Sequence, residues 1–432
     1  MRTPLRTLIA TIVATAALAG LAATAEAARR GPCIPGTSGP SCTFWTAKVT
    51  FVADGDTIEV DIAGDRTSRR SRVRITGIQA MELTRYSSKA SRRRGECHAV
   101  AATGRLERLI RAARGRVRLA AQHRGSRTGG RIRRAVSARI GGRWVDLGAT
   151  LLSEGHALWL PNSAEYAWNR RYSELADRAA AGRLGIWNGS TCGAGPGPES
   201  QLRMWVKWDA DGVDGKDVNG EWAKIKNLDT SRDVSLAGWW FRDSHHRRYR
   251  FPAWAKIPAG ETITVRMGRG SSAGSQFFWG QAKAVFENAS DDRRAMGDGG
   301  YLFDPQGDLR AWMTYPCRVS CADPLRGALE LVANPRGADE HVRIKNVSPS
   351  PVDLEGYLLE NSPFSYPFGP NTILAPGEVL TLDVGGSPAQ DTLGLLHWAR
   401  IGSILNDDGD VVKIRNFTGT VVACTAWGRA AC

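Results

Sequence analysis

Past its first 27 residues the chain holds no apolar run of the roughly 20 residues that a helix needs to span a bilayer, which argues against a helical membrane protein. It has no C-x-x-C pair and no histidine cluster beside its cysteines, which argues against a zinc site. Lysine is scarce, at 10 residues against 48 arginines. Codon bias accounts for that choice but not for the excess of basic residues, 58 Lys+Arg over 43 Asp+Glu, a net charge of +15. So large a positive charge suits an anionic partner such as nucleic acid. The apolar fraction of 42% and charged fraction of 23% are ordinary for folded chains and exclude wholesale disorder. A length of 432 residues predicts about two to four domains.

Arg2 and Arg6 precede an apolar stretch from Leu8 to Leu21, and Ala25-Glu26-Ala27 follows as an A-x-A site. This is the pattern of a secretory signal peptide over residues 1–27 and predicts an exported protein. Eight cysteines fit an oxidising compartment. They allow roughly a hundred pairings, and spacing alone does not choose among them. Cys33/Cys42 and Cys424/Cys432 lie close enough to close short loops, and Cys97 and Cys192 are then read as partners that staple the first domain.

The charge is uneven. Residues 45–195 carry 28 Lys+Arg and 13 Asp+Glu, or +15, whereas 196–432 carry 26 and 29, or −3. The basic excess therefore lies in one segment, and binding of a polyanion there should weaken steeply with salt. Gly193-Ala-Gly-Pro-Gly-Pro-Glu-Ser200 marks the break as a Gly/Pro linker.

In the basic segment, Lys48–Ala53 and Ile58–Ile62 alternate as strands around a turn at Asp54-Gly-Asp-Thr57, which puts two carboxylates at one corner. Arg72–Ile78 alternates again, with Val73 and Ile75 on one face and Arg72 and Arg74 on the other. Gly95–Ala113 reads as an amphipathic helix with Val100, Leu106, Leu109 and Ile110 as its apolar face. Val117–Ala121 and Gly130–Val136 read as strands, and Val145–Gly155 and Ala164–Gly182 as helices.

Over residues 46–190, the ordered set Val52-Ala-Asp-Gly-Asp-Thr57, Val73-Arg-Ile-Thr-Gly-Ile78 with Glu82, Gly130-Arg131, Leu152-Ser-Glu-Gly-His-Ala157 and Gly185-Ile-Trp187 resembles the thermonuclease family. The resemblance implies an OB-fold barrel with added helices and calcium-dependent cleavage of phosphodiester bonds in DNA and RNA, single-stranded or flexible regions being preferred.

The chemistry is consistent with the residue types. An Asp in a tight turn supplies hard oxygen for Ca2+. A Glu positions or deprotonates a water. Arginine forks clamp phosphoryl oxygens bidentately, as lysine cannot. Carried over by the resemblance, Asp56 is a calcium ligand with Asp54 beside it, Glu82 is the base, and Arg74 and Arg131 are the phosphate clamps. The chain departs from the family at Gln79, which stands where a second calcium-binding Asp is usual and brings no charge. It also has Ala80-Met81 where a Pro commonly precedes the Glu, and Arg127 where an acidic residue usually stands upstream of Arg131. If the register slips, Arg133 or Arg134 takes the clamp role. Arg92, Arg93 and Arg94 read as a nucleic-acid patch, and Trp159 as a candidate base-stacking ring, with core packing as its other reading. His98, His123 and His156 have no spacing that suggests a shared role.

The rest of the chain repeats itself at a spacing of about 118 residues. Glu221/Glu340, Ile225/Ile344, Lys226/Lys345, Asn227/Asn346, Leu236/Leu354, Gly238/Gly356, Gly260-Glu261/Gly377-Glu378 and Thr264/Thr381 correspond. Short alternating strands with Gly, Pro and Asn turns predict one β-sandwich per unit. The Ile-Lys-Asn, Leu-x-Gly-Trp/Tyr and Pro-x-Gly-Glu pieces resemble the lamin-tail domain, an immunoglobulin-like sandwich, which implies a tethering or recognition role. Trp205, Trp208, Trp222, Trp239 and Trp240 form either a ligand-binding face or, more in keeping with large aromatics, core. Four Asp between Asp209 and Asp217 offer a calcium loop or a solvated acidic turn.

The expected organisation is mainly β with some α: signal peptide 1–27, a Cys-containing segment 28–44, a nuclease-like OB-fold domain 45–192, a linker 193–200, and sandwiches at 201–318 and 319–432. The expected function is a secreted calcium-dependent nuclease. The rivals are an OB-fold binder of nucleic acid or cell-envelope polyanion that has lost catalysis, and an adhesive sandwich protein.

Overall fold

The computed structural model describes residues 29–192, 201–210, 213–337 and 339–432. The signal peptide and the Gly/Pro linker lie outside the described residues, as do Asp211 of the acidic loop and Ala338 at the start of the second repeat.

Five strands close a barrel: β1 (Ser41–Val52), β2 (Thr57–Ile62), β3 (Ser71–Ile75), β4 (Arg116–Ala121) and β5 (Arg131–Ile140). The order is β1-β2-β3-β5-β4 and back to β1, with β3 and β5 parallel and every other pair antiparallel. Alternation explains the closure: Val60, Val73, Ile75, Val117, Leu119 and Val136 are buried within a common core. Three helices cover the barrel: α1 (Ala99–Ala112), α2 (Leu147–Ser153) and α3 (Asn169–Ala181). α1 starts four residues later than the periodicity suggests, because Gly95 pairs with Leu83 and Cys97 is bonded to Cys192. Its buried face is Ala99, Ala102, Thr103, Leu106, Leu109 and Ile110, and Val100 is exposed at 37%, contrary to the pattern reading. Asp146 caps α2 by accepting from the Ala149 amide at 3.0 Å.

Each later unit is two four-stranded sheets face to face. In the first, Leu202–Lys207, Trp222–Asn227, Thr262–Arg266 and Gln276–Phe278 form one sheet, and Tyr249–Arg250, Trp240–Arg242, Asp298–Phe303 and Leu309–Tyr315 the other. The second unit repeats this order, from Leu329–Asn334 to Val421–Ala426. All five tryptophans of the Trp-rich region are buried, so they are core and not a binding face. The disulfides are Cys33–Cys42, Cys97–Cys192, Cys317–Cys321 and Cys424–Cys432.

The barrel and the first sandwich share a core. Trp187 packs against Tyr301 and Trp312, with ring centroids 6.0 and 5.5 Å away, and Trp240, Phe303 and Leu309 belong to the same buried cluster. The Asp308 carboxylate accepts from the Thr191 and Cys192 amides at 2.9 and 3.0 Å.

Candidate active site

The turn between β1 and β2 places Asp54 and Asp56 at the rim of the barrel. Gly55 between them is required by close packing, since a Cβ there would lie 2.7 Å from the Cβ atoms of both Ala80 and Ala102. The Asp54 carboxylate accepts from the Asp56 amide at 3.0 Å and so stiffens the turn. Asp56 itself is buried, and its Oδ2 accepts from the Ala80 amide at 2.8 Å while Oδ1 accepts from the Thr57 hydroxyl at 2.9 Å.

β3 lies beside β2 and delivers Arg74 to the same point. Arg74 is 5% exposed, whereas Arg72 on the same face of β3 is exposed to solvent. Its Nη1 donates to Asp56 Oδ1 and its Nη2 donates to Gln79 Oε1 at 2.5 Å. Gln79 Nε2 then donates to Glu82 Oε1 at 3.0 Å. Asp56, Arg74, Gln79 and Glu82 are therefore one hydrogen-bonded chain ending in a half-exposed carboxylate. Burial pushes the Asp56 carboxyl up to about 7, against the downward pull of Arg74.

Arg131 begins β5 and donates from Nη1 to the Thr57 hydroxyl at 3.1 Å, one hydroxyl away from Asp56. Arg133 shares its face and stands opposite Arg74 in the parallel register. Arg134, on the other face, donates to the carbonyls of Ser126, Arg133 and Arg124 and lies 4.6 Å from the Trp45 ring, which is a structural role.

Two expected nucleic-acid contacts are corrected. Trp159 is 1% exposed, packed in the barrel core on a two-residue strand paired with Ile78-Gln79, and so offers no face to a base. Arg93 is buried in an ion pair with Glu107 at 2.8 Å and lies over Tyr86. Arg92 and Arg94 remain exposed.

The repeat-matched polar residues of the sandwiches are structural. Glu221 and Glu340 are buried and accept backbone amides, from Val285 at 2.7 Å and Ile404 at 3.0 Å. The Asn227 and Asn346 side-chain amides donate to loop carbonyls in both units, to Arg232 at 2.6 Å and Ser350 at 2.8 Å. In the acidic loop, Asp214 and Asp217 accept from the Ala210 and Gly220 amides at 3.0 and 2.9 Å.

The lamin tail domain family matches residues 208–317 and 329–429, the two halves of the repeat. Both sandwiches are lamin tail domains. No curated protein matches the chain. Among the described residues, no helix is long and apolar enough to cross a membrane.

The first lamin tail domain also reaches the cleft, through residues that no sequence motif singles out. His246 Nδ1 lies 3.7 Å from Glu82 Oε1. Arg248 forms an ion pair with Glu96. Glu96 in turn accepts from the Glu82 amide at 3.1 Å and donates its own amide to the Glu82 carbonyl at 3.0 Å. The available signal was the run His245-His-Arg-Arg248, four basic or titratable residues within a segment of net negative charge.

Proposed function

We propose that the protein is a secreted, calcium-dependent nuclease that hydrolyses phosphodiester bonds of DNA and RNA. The observation that carries this reading is the convergence of Asp56, Arg74, Gln79 and Glu82 in one hydrogen-bonded chain at the barrel rim, with Arg131 beside it. The donors suit a hard cation: they are carboxylate and amide oxygens, and Asp56 is a buried carboxylate that burial has pushed toward neutrality, which added positive charge would reverse. Asp56, Asp54 and Gln79 are the residues that would hold calcium, which when bound supplies Lewis-acid stabilisation of a phosphoryl oxygen.

The chain's own groups divide the remaining work. Glu82, the most open of the linked set, takes a proton from the attacking water. Arg74 and Arg131 hold the two phosphoryl oxygens and offset the charge that builds on them. The amide of Gln79, donating to Glu82, keeps that carboxylate turned into the cleft. The basic surface of the barrel domain gathers the polyanion, and exposed Arg92 and Arg94 extend it. Export follows from the signal-peptide pattern and accords with four disulfides.

One observation favours a second reading. Gln79 contributes no charge and already engages both Arg74 and Glu82, as expected of a cleft that binds a nucleic acid or envelope polyanion without cleaving it. Digestion of single-stranded DNA by the purified mature protein decides between them, with calcium titrated against an EDTA control and Glu82→Gln alongside. Calcium-dependent cleavage lost in the variant supports the nuclease. Salt-sensitive binding with no cleavage at any calcium level supports the binder.

A further inference from the structure

The cleft has two walls, and the second comes from outside the barrel. Resting on the phosphodiesterase reading, we propose that the active site is composite: His246 of the first lamin tail domain is a substrate-contacting residue, and Arg248 positions Glu82 through Glu96.

The geometry that carries this is specific. The bend that follows strand Trp240–Arg242 brings His246 and Arg248 against Glu82 and Glu96 of the barrel, while Arg247 donates to Gln281 at 3.2 Å. His246 stands at the carboxylate proposed as base, yet its own side chain is 63% exposed, leaving its ring open to a ligand. An imidazole there donates to an oxygen of a phosphate flanking the scissile one. Arg248 acts one step back. It holds Glu96, and Glu96 grips the Glu82 backbone through both its amide and its side chain.

The wall is built to stay in place. Arg242 is fully buried and donates to the carbonyls of Asp243 and Ser244 at 2.9 and 3.0 Å. The Ser244 amide donates to buried Asp298 at 3.2 Å, and His245 pairs with Asp243 at 2.9 Å. The Arg248 guanidinium lies 3.9 Å from the Trp240 ring, which stacks on Phe303 at 4.0 Å inside the core shared with the barrel. A segment so anchored presents His246 at a fixed position, and ordering it on binding costs little.

The test is steady-state cleavage of a 12-nucleotide single strand by the full chain and by His246→Ala, Arg248→Ala and Arg248→Lys, each with its melting temperature. For His246→Ala, a KM raised about tenfold with kcat lowered less than threefold is expected, the loss of one hydrogen bond to a charged group. For Arg248→Ala, kcat falls about tenfold with KM within about twofold, and Arg248→Lys restores most of it, since an ammonium still pairs with Glu96. Unchanged kcat and KM in both alanine variants overturns the proposal. So does an Arg248→Lys as impaired as Arg248→Ala. If the unmodified chain cleaves nothing, the nuclease reading fails by itself. The wall is then judged by affinity for the same strand without calcium, where equal binding by His246→Ala overturns it and weaker binding supports it.

Discussion

At the residue scale, the cleft couples one buried and one half-open carboxylate through a single arginine and a single amide. Changing Glu82 at its open end or Arg74 within it should be costly in a distinctive way. Glu82→Gln keeps the hydrogen bond to Gln79 yet cannot take a proton, so turnover should fall by roughly 10²–10⁴ with the fold intact. Arg74→Ala should be no milder, because it leaves the buried Asp56 carboxylate without its counter-charge and also destabilises the barrel by about 3–5 kcal/mol. Urea denaturation beside the activity assay separates the two effects. Gln79→Asp adds a charged oxygen to the proposed ligand set and should lower the calcium concentration for half-maximal activity by about tenfold. That these residues meet at one corner was legible in the sequence because the ordered motifs carrying the thermonuclease resemblance contain them. Trp159 was legible only in its core reading and Arg93 not at all, since an aromatic or arginine in a basic segment reads alike whether it faces solvent or core. What decides is the partner: Ile78-Gln79 for one, Glu107 for the other.

At the element scale, local signals located the strands and helices well and their ends less well. The β1–β2 hairpin was readable because its alternation is strict and its corner is Asp-Gly. α1 is shorter than its periodicity predicts because Gly95 pairs with Leu83 and Cys97 is bonded to Cys192, neither of which a local pattern contains. α2 hangs on one carboxylate. Asp146 caps its first turn and also accepts from the Tyr172 hydroxyl at 2.8 Å, joining α2 to α3. Asp146→Ala should therefore cost about 2–3 kcal/mol, more than a cap alone, because a buried hydroxyl is left without a partner. The repeat in the sandwiches was visible for a related reason. Glu221 and Asn227 recur as Glu340 and Asn346 because each is a buried polar group satisfying loop backbone, and few replacements do that. Glu221 carries a pH signature. Burial pushes it up to about 8, so between about 4.5 and 8 the folded chain holds a proton that the unfolded chain has lost. The contribution of this group thus makes stability fall as pH rises through that window. Thermal melts at stepped pH should show the first lamin tail domain weakening toward alkaline pH, and Glu221→Gln should flatten that slope.

At the scale of the whole molecule, three cores are joined in series and the first joint is the more intimate. Trp187 of the barrel lies among Tyr301, Trp312 and Leu309 of the sandwich, whereas the two lamin tail domains meet through Leu358, Phe417 and the Lys226–Glu355 ion pair at 2.6 Å. None of this pairing was legible from local pattern, since it joins residues more than 100 positions apart. A chain truncated after residue 192 should therefore expose the Trp187 surface and melt below the barrel of the full protein, which calorimetry of both will measure. The route through the chain has one more outcome. The barrel's last described residue, Cys192, is tied back to Cys97 and capped by Asp308, so the covalent thread leaves the barrel at a point already held on both sides. The connection across 193–200 is then redundant for keeping the halves together. A chain nicked there by a protease should give two bands on a denaturing gel and one particle by gel filtration, with His246 still beside Glu82.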